Sequence, residues 1–395
     1  MDRNTPTLTA QNAPWLTDRN TRAVCDALLA KGYEVYFVGG CVRNALLGEP
    51  VSDIDISTNA HPDKVMKACE DAGLKTSPTG IGHGTVTVIV RAIGFEVTTF
   101  RRDVATDGRR AVVAFATDIA DDARRRDFTM NAIYATPEGQ IVDPLNGLGD
   151  LRARRLRFIE DAATRIREDY LRTLRYFRFH AWYGNPDQGL DTEALSAISA
   201  NLAGLETLSA ERVGTEFRKL LLADDPAPAL GAMMQTGVLT VLLPGADARQ
   251  IGLLVHLESL AGLDRNWITL LVALGGEGVA DRLRLSKAQR RDYALIRDAA
   301  FDGPGLPEVA YRHGYDIAAQ ACLLQAVLAE TPVDPNRLAH LSSAAAAEFP
   351  VASRDVADHY EGRALGARLE LMKSAWIKSD FKLTRDELLA LPDKA

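Results

Sequence analysis

A glycine pair followed closely by two aspartates constrains this chain more than any other feature of its sequence. A strand-like stretch, EVYFVGG, ends in Gly39 and Gly40, where bare backbone can approach a ligand closely. A helix-like stretch follows, and a second strand-like stretch then presents Asp53 and Asp55. Residues i and i+2 of a strand point to one face, so the two carboxylates repel unless a hard divalent cation lies between them. The pattern favours a site for a phosphate tail and a metal ion, although a lone Asp-x-Asp is more often a solvated turn.

The composition is that of an ordinary globular protein. The chain has 395 residues, of which 47% are hydrophobic and 25% charged, and this length predicts two to four domains. No apolar run approaches the ~20 residues that span a bilayer, and the N-terminal stretch lacks the apolar core of a secretory signal. We therefore expect no membrane partner. The cysteines have no metal-ligand spacing, which favours reduced thiols in a cytoplasmic protein. They are Cys25, Cys41, Cys69 and Cys322.

Positive charge is concentrated in one part of the chain. Residues 101–180 contain 16 Arg, no Lys and 13 acidic residues, a net charge of +3, whereas the remainder carries −10. Arginine is the better residue for bidentate phosphate contacts and for stacking on bases. The segment therefore indicates a phosphate-rich ligand bound locally, although some of these arginines are expected to form ion pairs on helix surfaces.

The order of predicted elements gives the fold class. Residues 20–158 alternate strand-like and helix-like stretches and predict an α+β head with a small mixed sheet. Strand signals nearly vanish after Leu151, so an all-α neck, body and tail are expected at 159–245, 246–340 and 341–395. A linker is predicted at SSAAAAEFP, near Ser342. The predicted strands are EVYFVGG, DIDIS, TVTVIV, FEVTTF and AIYAT, and the stretch HPDKVMKACEDAG is a predicted helix with a glycine stop.

Three further stretches carry groups suited to a nucleotide. Glu96, in the strand-like GFEVTTFR, is a candidate third carboxylate, although a solvent-facing glutamate is the simpler interpretation. The stretch RRRDFTMNAI combines guanidinium, carboxylate, hydroxyl and amide groups, and Asp127 within it could instead, or also, cap a helix.

The third stretch, EDYLRTLRYFR, is predicted to lie in one long helix that places Asp169 beside Arg172. A carboxylate only accepts hydrogen bonds and a guanidinium only donates them, so this pair matches the amino group and adjacent ring nitrogen of cytosine and adenine. Guanine and uracil present the opposite order. The alternative is a salt-bridged surface helix.

Together these motifs resemble those of the class II tRNA nucleotidyltransferase and bacterial poly(A) polymerase family. GGCVRNALLG with SDIDIST resembles its metal motif, RRDFTMNA its ribose-contacting motif, and EDYLRTLR its base-selecting motif. DPLNGLGDL is similar to the family's hinge motif and ERVGTEFRKLL to its fifth motif. The ordered motifs cover roughly residues 20–245. One departure is Asn44, where the family commonly has Asp. Asparagine keeps a hydrogen-bond acceptor but loses the charge, which implies a supporting rather than a metal-binding role.

The resemblance implies a two-ion Mg²⁺ site and a set of nucleotide contacts. Asp53 and Asp55 would hold the metal with assistance from Glu96, and Asp127 would select the ribose by its 2′-hydroxyl. Glu168 would help hold Arg172 during base selection. The residues implied to contact the nucleotide are Gly39, Gly40, Arg43, Arg126, Asp127, Asn131, Asp169, Arg172, Arg175 and Arg178.

The resemblance also implies a reaction and its substrates. The stretch PTGIGHGTVTV looks like that of enzymes that add CCA to the 3′ end of tRNA from CTP and ATP, releasing pyrophosphate. An intact segment at 101–115, a flexible loop in the family, favours full CCA addition. The alternatives are poly(A) polymerase and an A-adding enzyme; a catalytically dead RNA-binding module and a small-molecule nucleotidyltransferase are disfavoured by the acids and by the Arg-rich segment. No obligate protein partner is evident.

Overall fold

All strands of the described chain lie in its N-terminal part, as the sequence predicts. The computed structural model describes residues 6–107 and 110–392. The strands are β1 Val35–Val38, β2 Asp55–Thr58, β3 Lys75–Ser77, β4 Thr85–Val90, β5 Ile93–Thr99, β6 Arg101–Asp107, β7 Arg110–Phe115, β8 Tyr134–Ala135 and β9 Ile141–Val142. Seven of them form a mixed sheet in the order β3-β4-β5-β2-β1-β8-β9, in which only β2 and β5 are parallel neighbours.

The two faces of this sheet differ in polarity because the strands alternate. Phe37 pairs with Ile56, and Ile56 with Val97, and all three side chains are buried on one face. Asp55 pairs with Glu96 on the other face. The helices of this part are α1 Arg19–Leu29, α2 Gly40–Leu47, α3 Pro62–Asp71, α4 Ile119–Arg124 and α5 Gly147–Arg152. Helices α1 and α3 contact β4 and β5, so helix packing supports the strand that carries Glu96, and β5 in turn pairs with β2, which carries Asp55.

The segment expected to be a flexible loop is instead a β-hairpin. Strands β6 and β7 pair antiparallel from Arg101 with Phe115 to Asp107 with Arg110, with a register shift between Asp103 and Ala105. The alternating residues of VATD and AVVAF suit strands rather than a loop. Residues 108 and 109 of the expected loop lie outside the described residues.

Helices make up the rest of the chain, which confirms the predicted fold class. They are α6 Ala162–Glu168, α7 Leu171–Tyr183, α8 Thr192–Ser199, α9 Ala210–Leu221, α10 Ala227–Gln235, α11 Val238–Leu242, α12 Ile251–Leu260, α13 Trp267–Leu274, α14 Val279–Arg282, α15 Lys287–Phe301, α16 Leu306–His313, α17 Tyr315–Leu328, α18 Pro335–Ala345, α19 Gly362–Lys378 and α20 Arg385–Leu389. None of the described helices is long and apolar enough to cross a lipid bilayer. All four cysteines are free and buried.

The predicted long helix is wrong, because the chain breaks at Asp169. Its backbone is extended (φ −153°, ψ 105°), and α6 ends just before it. The Asp169 carboxylate accepts from the N–H of Leu171 at 3.1 Å, which replaces a helical hydrogen bond. The ring of Tyr170 lies so close to Gly204 that a Cβ there would be 1.9 Å from it. This tertiary contact fixes the break.

The predicted linker is also wrong in its first half. Ser342 lies within α18, which continues to Ala345, as the high helix propensity of alanine favours. Phe349, in the second half, contacts Trp376 with ring centroids 5.4 Å apart. The segment therefore packs into an apolar cluster centred on Trp376 and Met372 rather than connecting independent parts.

The chain divides into two compact units. The first runs to Glu216 and includes Pro228–Leu242, and the second comprises Phe217–Ala227 and the residues from Leu243 onward. The finer division at 158, 245 and 340 stays a prediction. All the candidate site residues named above belong to the first unit.

Candidate functional site

The glycine pair forms a sharp turn between β1 and α2. Gly39 has φ +74° and ψ −125°, a conformation that L side chains rarely adopt, and α2 begins at Gly40. No side chain caps the first N–H groups of this helix among the described residues. The turn therefore leaves backbone donors free at a helix N-terminus, where an anion is favoured.

The candidate metal ligands Asp53, Asp55 and Glu96 lie close together, but Asp53 is not in the strand where it was predicted. Asp53 lies before β2 rather than within it, and its carboxylate accepts from the Ser52 hydroxyl at 2.9 Å. Asp55 opens β2 and pairs in register with Glu96 of β5. The pKa of Asp55 is raised by desolvation in the cleft and further by Glu96 and Asp53, against the opposing charge of Arg126. None of the three acids forms an ion pair with a described residue.

These acids fit a magnesium ion whose remaining ligands come from a substrate. No group of three or more His, Cys, Asp or Glu side chains within the described residues converges into a closed metal site. Mg²⁺ usually binds one or two carboxylates together with substrate phosphates and water, so two aspartates suffice as the protein's share. Desolvation, and then repulsion from Glu96 and Asp53, raises the pKa of Asp55, and a bound cation would counter both effects.

A cleft of 420 Å³ brings most of the predicted nucleotide-binding residues together. It lies between the glycine turn, the approach to β2 and helix α7. The predicted residues on its walls are Gly39, Gly40, Arg43, Asp53, Asp55, Arg126, Asp127, Asn131, Arg175 and Arg178. Four guanidinium groups beside two unpaired aspartates suit a triphosphate with its cation. Glu96, Glu168, Asp169 and Arg172 lie outside this cleft.

Arg43 is buried in the cleft wall and held on several sides. Its guanidinium donates to Asn131 at 2.6 Å and to the Tyr183 hydroxyl at 2.8 Å, and it stacks 4.0 Å from the Tyr183 ring centroid. Burial lowers the pKa of Arg43, and the electrostatic interactions with Tyr183 and Asp127 partly oppose that effect. Tyr183 was not among the predicted site residues, because a tyrosine 140 residues away along the chain gives no local signal.

Asn44 supports Arg43 through its side-chain oxygen, in keeping with the supporting role that the resemblance implies. Its side-chain oxygen accepts from Nε and Nη2 of Arg43 at 3.1 and 2.8 Å, and its amide donates to the Pro50 carbonyl at 2.6 Å. A neutral side chain thus supplies two acceptors to Arg43 and ties α2 to the connection that leads to Asp53.

We therefore expect Asn44→Asp to be tolerated and Asn44→Ala to be harmful. Aspartate keeps both acceptors for Arg43 and adds a charge opposite it, although its second oxygen must turn away from the Pro50 carbonyl, so kcat/KM for the nucleotide should stay within a few-fold of wild type. Alanine leaves a buried guanidinium short of partners, which costs about 1–3 kcal/mol of unfolding free energy. Denaturant unfolding and steady-state kinetics of both variants check this, and equal behaviour of the two would contradict the role assigned to the acceptor.

Asp127 is the centre of a hydrogen-bond network. Its buried carboxylate accepts from the Phe128 N–H and the Asn131 amide, each at 2.9 Å, and from Arg175 at 2.7 Å. Burial alone would raise its pKa, but Arg175 and these hydrogen bonds hold the pKa at about 2. The carboxylate is therefore ionised, and because a second Arg175 nitrogen also lies 2.5 Å from Oδ2, a ribose hydroxyl would have to share or replace one of these donors. The predicted helix cap is wrong, because only a short 3₁₀ turn follows, beginning at Thr129.

Arg126 is fixed by two residues that sequence reasoning missed. It donates to Asp122 and to the Tyr134 hydroxyl, each at 3.1 Å, and that hydroxyl donates to Asp122 at 2.8 Å. Burial would raise the pKa of Asp122, but Arg126 and Arg125 hold it well below its ordinary value. This buried cluster keeps the Arg126 guanidinium beside Gly39 and close enough to Asp55 to lower its pKa.

The candidate base-reading residues Asp169 and Arg172 do not pair with each other, and each forms an ion pair with a different residue. Asp169 pairs with Arg212 at 2.7 Å, a residue 43 positions away that was not predicted to take part. Arg172 pairs with Glu168, which is the contact expected of Glu168. Asp169 and Arg172 were predicted to lie side by side on one helix. Asp169 instead lies at the break between α6 and α7, and the two side chains are anchored separately.

Both side chains still have hydrogen-bonding capacity. Besides Glu168, the Arg172 guanidinium donates to the backbone carbonyls of Arg165 and Arg125 at 3.0 and 3.2 Å. These contacts use three of its five N–H groups. Because the Arg172 guanidinium and the Asp169 carboxylate are already held in place, they would lose little conformational entropy on binding the edge of a base.

The last two arginines are anchored by Glu216 and a phenylalanine. Arg178 donates to Glu216 at 2.6 Å, and Arg175 approaches the same carboxylate at 3.9 Å. Both guanidinium groups lie over the Phe179 ring, at 4.4 Å for Arg178 and 5.1 Å for Arg175. Glu216 was not predicted, since its partners are 38 or more residues away in sequence.

Comparison with known proteins agrees with this geometry. The Poly A polymerase head domain family matches residues 35–157, and the family described as the probable RNA and SrmB-binding site of polymerase A matches residues 189–249. The mitochondrial CCA tRNA nucleotidyltransferase 1 of Mus musculus is 31% identical over 390 residues, which cover 93% of this chain and 88% of that protein. The CCA-adding enzyme of Streptococcus gordonii is 39% identical over 70% of this chain and 69% of its own length.

A solved structure is similar over nearly the whole chain. The Bacillus stearothermophilus CCA-adding enzyme in complex with CTP has a TM-score of 0.75 and 28% sequence identity. The similarity covers 92% of this chain and 93% of that one, so it includes both the sheet and the helical part.

Proposed function

The chain belongs to the family of class II CCA-adding enzymes and poly(A) polymerases, and on that premise we propose that it adds CCA to the 3′ end of tRNA from CTP and ATP. The observation that carries the proposal is the 420 Å³ cleft, where the glycine turn, Asp53, Asp55 and four arginines meet. In each addition the 3′-oxygen of the RNA forms a bond to the α-phosphorus. The bond from that phosphorus to the bridging oxygen breaks, pyrophosphate leaves, and solvent takes up the hydroxyl proton.

In the proposed reaction the acids bind the metal ion and the arginines bind the triphosphate. Asp53 and Asp55 hold Mg²⁺ with assistance from Glu96, and the bound ion supplies neutralisation of charge on the phosphates and activation of the RNA hydroxyl. Arg43, Arg126, Arg175 and Arg178, with the N–H groups at Gly39 and Gly40, bind the triphosphate. Positioning and charge stabilisation account for most of the catalysis in reactions of this type.

Sugar and base are read by the remaining candidates. The ionised Asp127 accepts from the ribose 2′-hydroxyl and so favours ribonucleotides, which its pKa of about 2 supports. Asp169 and Arg172 read the Watson–Crick edge, with Arg212 and Glu168 as their anchors.

The hairpin β6–β7 is proposed to be needed for the final A. After two pyrimidines the site must fit a purine, and a hairpin attached at both ends can move to make room. Deleting part of the segment 104–110 should leave addition of two C residues largely intact and reduce incorporation of A about 100-fold or more, as a loss of about 3 kcal/mol of positioning would. Gel analysis of products made with CTP alone and with both nucleotides measures this, and equal losses of C and A would remove the hairpin from that role.

The choice of RNA substrate distinguishes a CCA-adding enzyme from the alternative within the family, a poly(A) polymerase. The purified protein is given CTP and ATP with either a tRNA transcript lacking CCA or an unstructured oligoribonucleotide of similar length. Extension of the tRNA by three nucleotides, without extension of the oligoribonucleotide, supports CCA addition. Long A tails on both RNAs would support the alternative instead.

A cytoplasmic location is proposed as well. The four free, buried cysteines fit a reducing compartment. The similar proteins include mitochondrial ones, so fractionation of cells that express a tagged chain is the measurement that checks this location.

A further inference from the structure

One buried carboxylate holds two consecutive arginines at the end of α4. The Asp122 side chain is fully buried, and one of its oxygens accepts from Nε of Arg125 at 2.8 Å. The other oxygen accepts from Arg126 at 3.1 Å and from the Tyr134 hydroxyl at 2.8 Å. Burial opposes ionisation, but the two arginines hold the pKa of Asp122 well below its ordinary value. We call these four residues the Asp122 cluster.

One side of the Asp122 cluster faces the proposed triphosphate site. Arg126 lines the 420 Å³ cleft and lies beside Gly39 of the glycine turn. Besides the contact with Asp122, its Nε donates to the Tyr134 hydroxyl at 3.1 Å. A guanidinium that is fixed before the nucleotide arrives loses little freedom on binding it. The cluster therefore prepares Arg126 to bind phosphate.

The backbone of the same segment supports the candidate base-reading residues. The Arg125 carbonyl accepts from the Arg172 guanidinium at 3.2 Å. The Arg124 carbonyl accepts from Arg165 at 2.6 Å. Arg165 in turn pairs with Glu168 at 2.6 Å, and Glu168 is also the ion-pair partner of Arg172. These two carbonyls therefore help to place both Arg172 and its anchor.

We propose that Asp122 is a specificity-determining positioning residue, because it holds the supports of the base-reading Arg172 and of the phosphate-binding Arg126 together. The proposal rests on the proposed nucleotidyl transfer and on its assignment of base reading to Arg172. A nucleotide reacts efficiently only when its base and its phosphates are aligned at the same time. The Asp122 cluster fixes the spacing between the groups that hold these two ends of the nucleotide.

Two substitutions separate the two sides of the cluster. Tyr134→Phe removes only the hydroxyl that accepts from Arg126, so kcat/KM for CTP and for UTP should fall equally, by about 3- to 10-fold, the effect of about one hydrogen bond. Arg125→Ala releases the backbone that supports Arg172. It should lower kcat/KM for CTP by a similar factor and leave kcat/KM for UTP within twofold, so that the preference for CTP over UTP decreases.

Asp122→Asn should produce both changes. The amide presents an NH₂ group to at least one of the donors that the carboxylate now binds, and it carries no charge. We therefore expect kcat/KM to fall for both nucleotides and the preference for CTP over UTP to fall by about 3- to 10-fold. The kinetics are measured at a saturating concentration of a tRNA transcript lacking CCA, with one nucleotide at a time, and thermal unfolding is recorded in parallel.

Glu258→Gln is the matched control for Asp122→Asn. Glu258 is 2% exposed and pairs with Arg265, but both residues belong to the second compact unit. Its replacement should lower the unfolding temperature and leave kcat/KM for CTP and UTP unchanged. If Asp122 only stabilised the fold, Asp122→Asn would show this same pattern.

Two results would overturn the proposal. One is a wild-type preference for CTP over UTP in Asp122→Asn, and the other is the same change of preference in Tyr134→Phe and Arg125→Ala. If Asp122→Asn does not fold, the contrast between the other two variants decides the matter, since each of them removes only part of the cluster. Failure of the proposed function is a separate outcome, because the wild-type enzyme would then add no CCA to the transcript.

Discussion

Asp55→Ala and Asp53→Ala should each reduce incorporation of both C and A by roughly 10³-fold or more. Each change removes an acid that serves every addition step, and a metal site contributes several kcal/mol at about 1.4 kcal/mol per factor of ten. The fold should survive, because the acids repel one another in the absence of a cation and Asp55 has a raised pKa for that reason among others. Single-turnover incorporation of labelled CTP and ATP, with thermal unfolding in parallel, measures both expectations.

The control for this prediction is Asp63→Ala. Asp63 is an exposed aspartate in the first turn of α3, so its loss should leave incorporation unchanged and reduce stability only slightly. Near-normal turnover of either site variant would show that the assignment of the metal ligands is wrong. Loss of A alone would place Asp53 and Asp55 in nucleotide selection rather than in the common chemistry.

Asp169→Ala should broaden nucleotide choice, and Arg172→Ala should weaken C and A together. In the proposed function, the Asp169 carboxylate would accept from the amino group common to cytosine and adenine and would repel the carbonyl oxygen of uracil and guanine. Its loss should cost about 1–3 kcal/mol of discrimination, a factor of about 5 to 150. Arg172→Ala should lower kcat/KM for CTP and ATP by a similar factor while triphosphate binding stays measurable. A misincorporation profile with the four nucleotides, one at a time, gives the answer.

Arg167→Ala serves as the matched control for the base-reading variants. Arg167 lies on α6, near the helix break, and its side chain contacts Thr164 on the exposed surface. If Asp169 and Arg172 were only structural ion pairs, their variants would lose stability and keep the wild-type profile. An unchanged profile for Asp169→Ala would therefore assign nucleotide selection to other residues.

The sequence predicts the elements of this molecule well where short-range patterns determine them. Strands β1, β4 and β8 fall within the predicted stretches and β2 and β5 overlap theirs, because β-branched and aromatic residues alternate there between glycine and polar turns. The register that brings Glu96 beside Asp55 follows from a parallel pairing across the sheet, and strand alternation alone predicts only the face on which Glu96 lies.

Long-range contacts explain what the sequence did not predict. The break at Asp169 depends on Tyr170 packing against Gly204, which helical periodicity does not contain. The anchors of the predicted arginines and acids are similarly distant, as with Arg212 for Asp169.

The identity of the added nucleotides tests the central claim most directly. A tRNA transcript lacking CCA is incubated with the wild-type enzyme and all four nucleoside triphosphates at equal concentration, and the 3′ ends are sequenced. We predict that the great majority of ends gain C, C and A in that order and then stop, with little U or G. Long A tails, a single added A, or comparable incorporation of all four nucleotides would contradict the account.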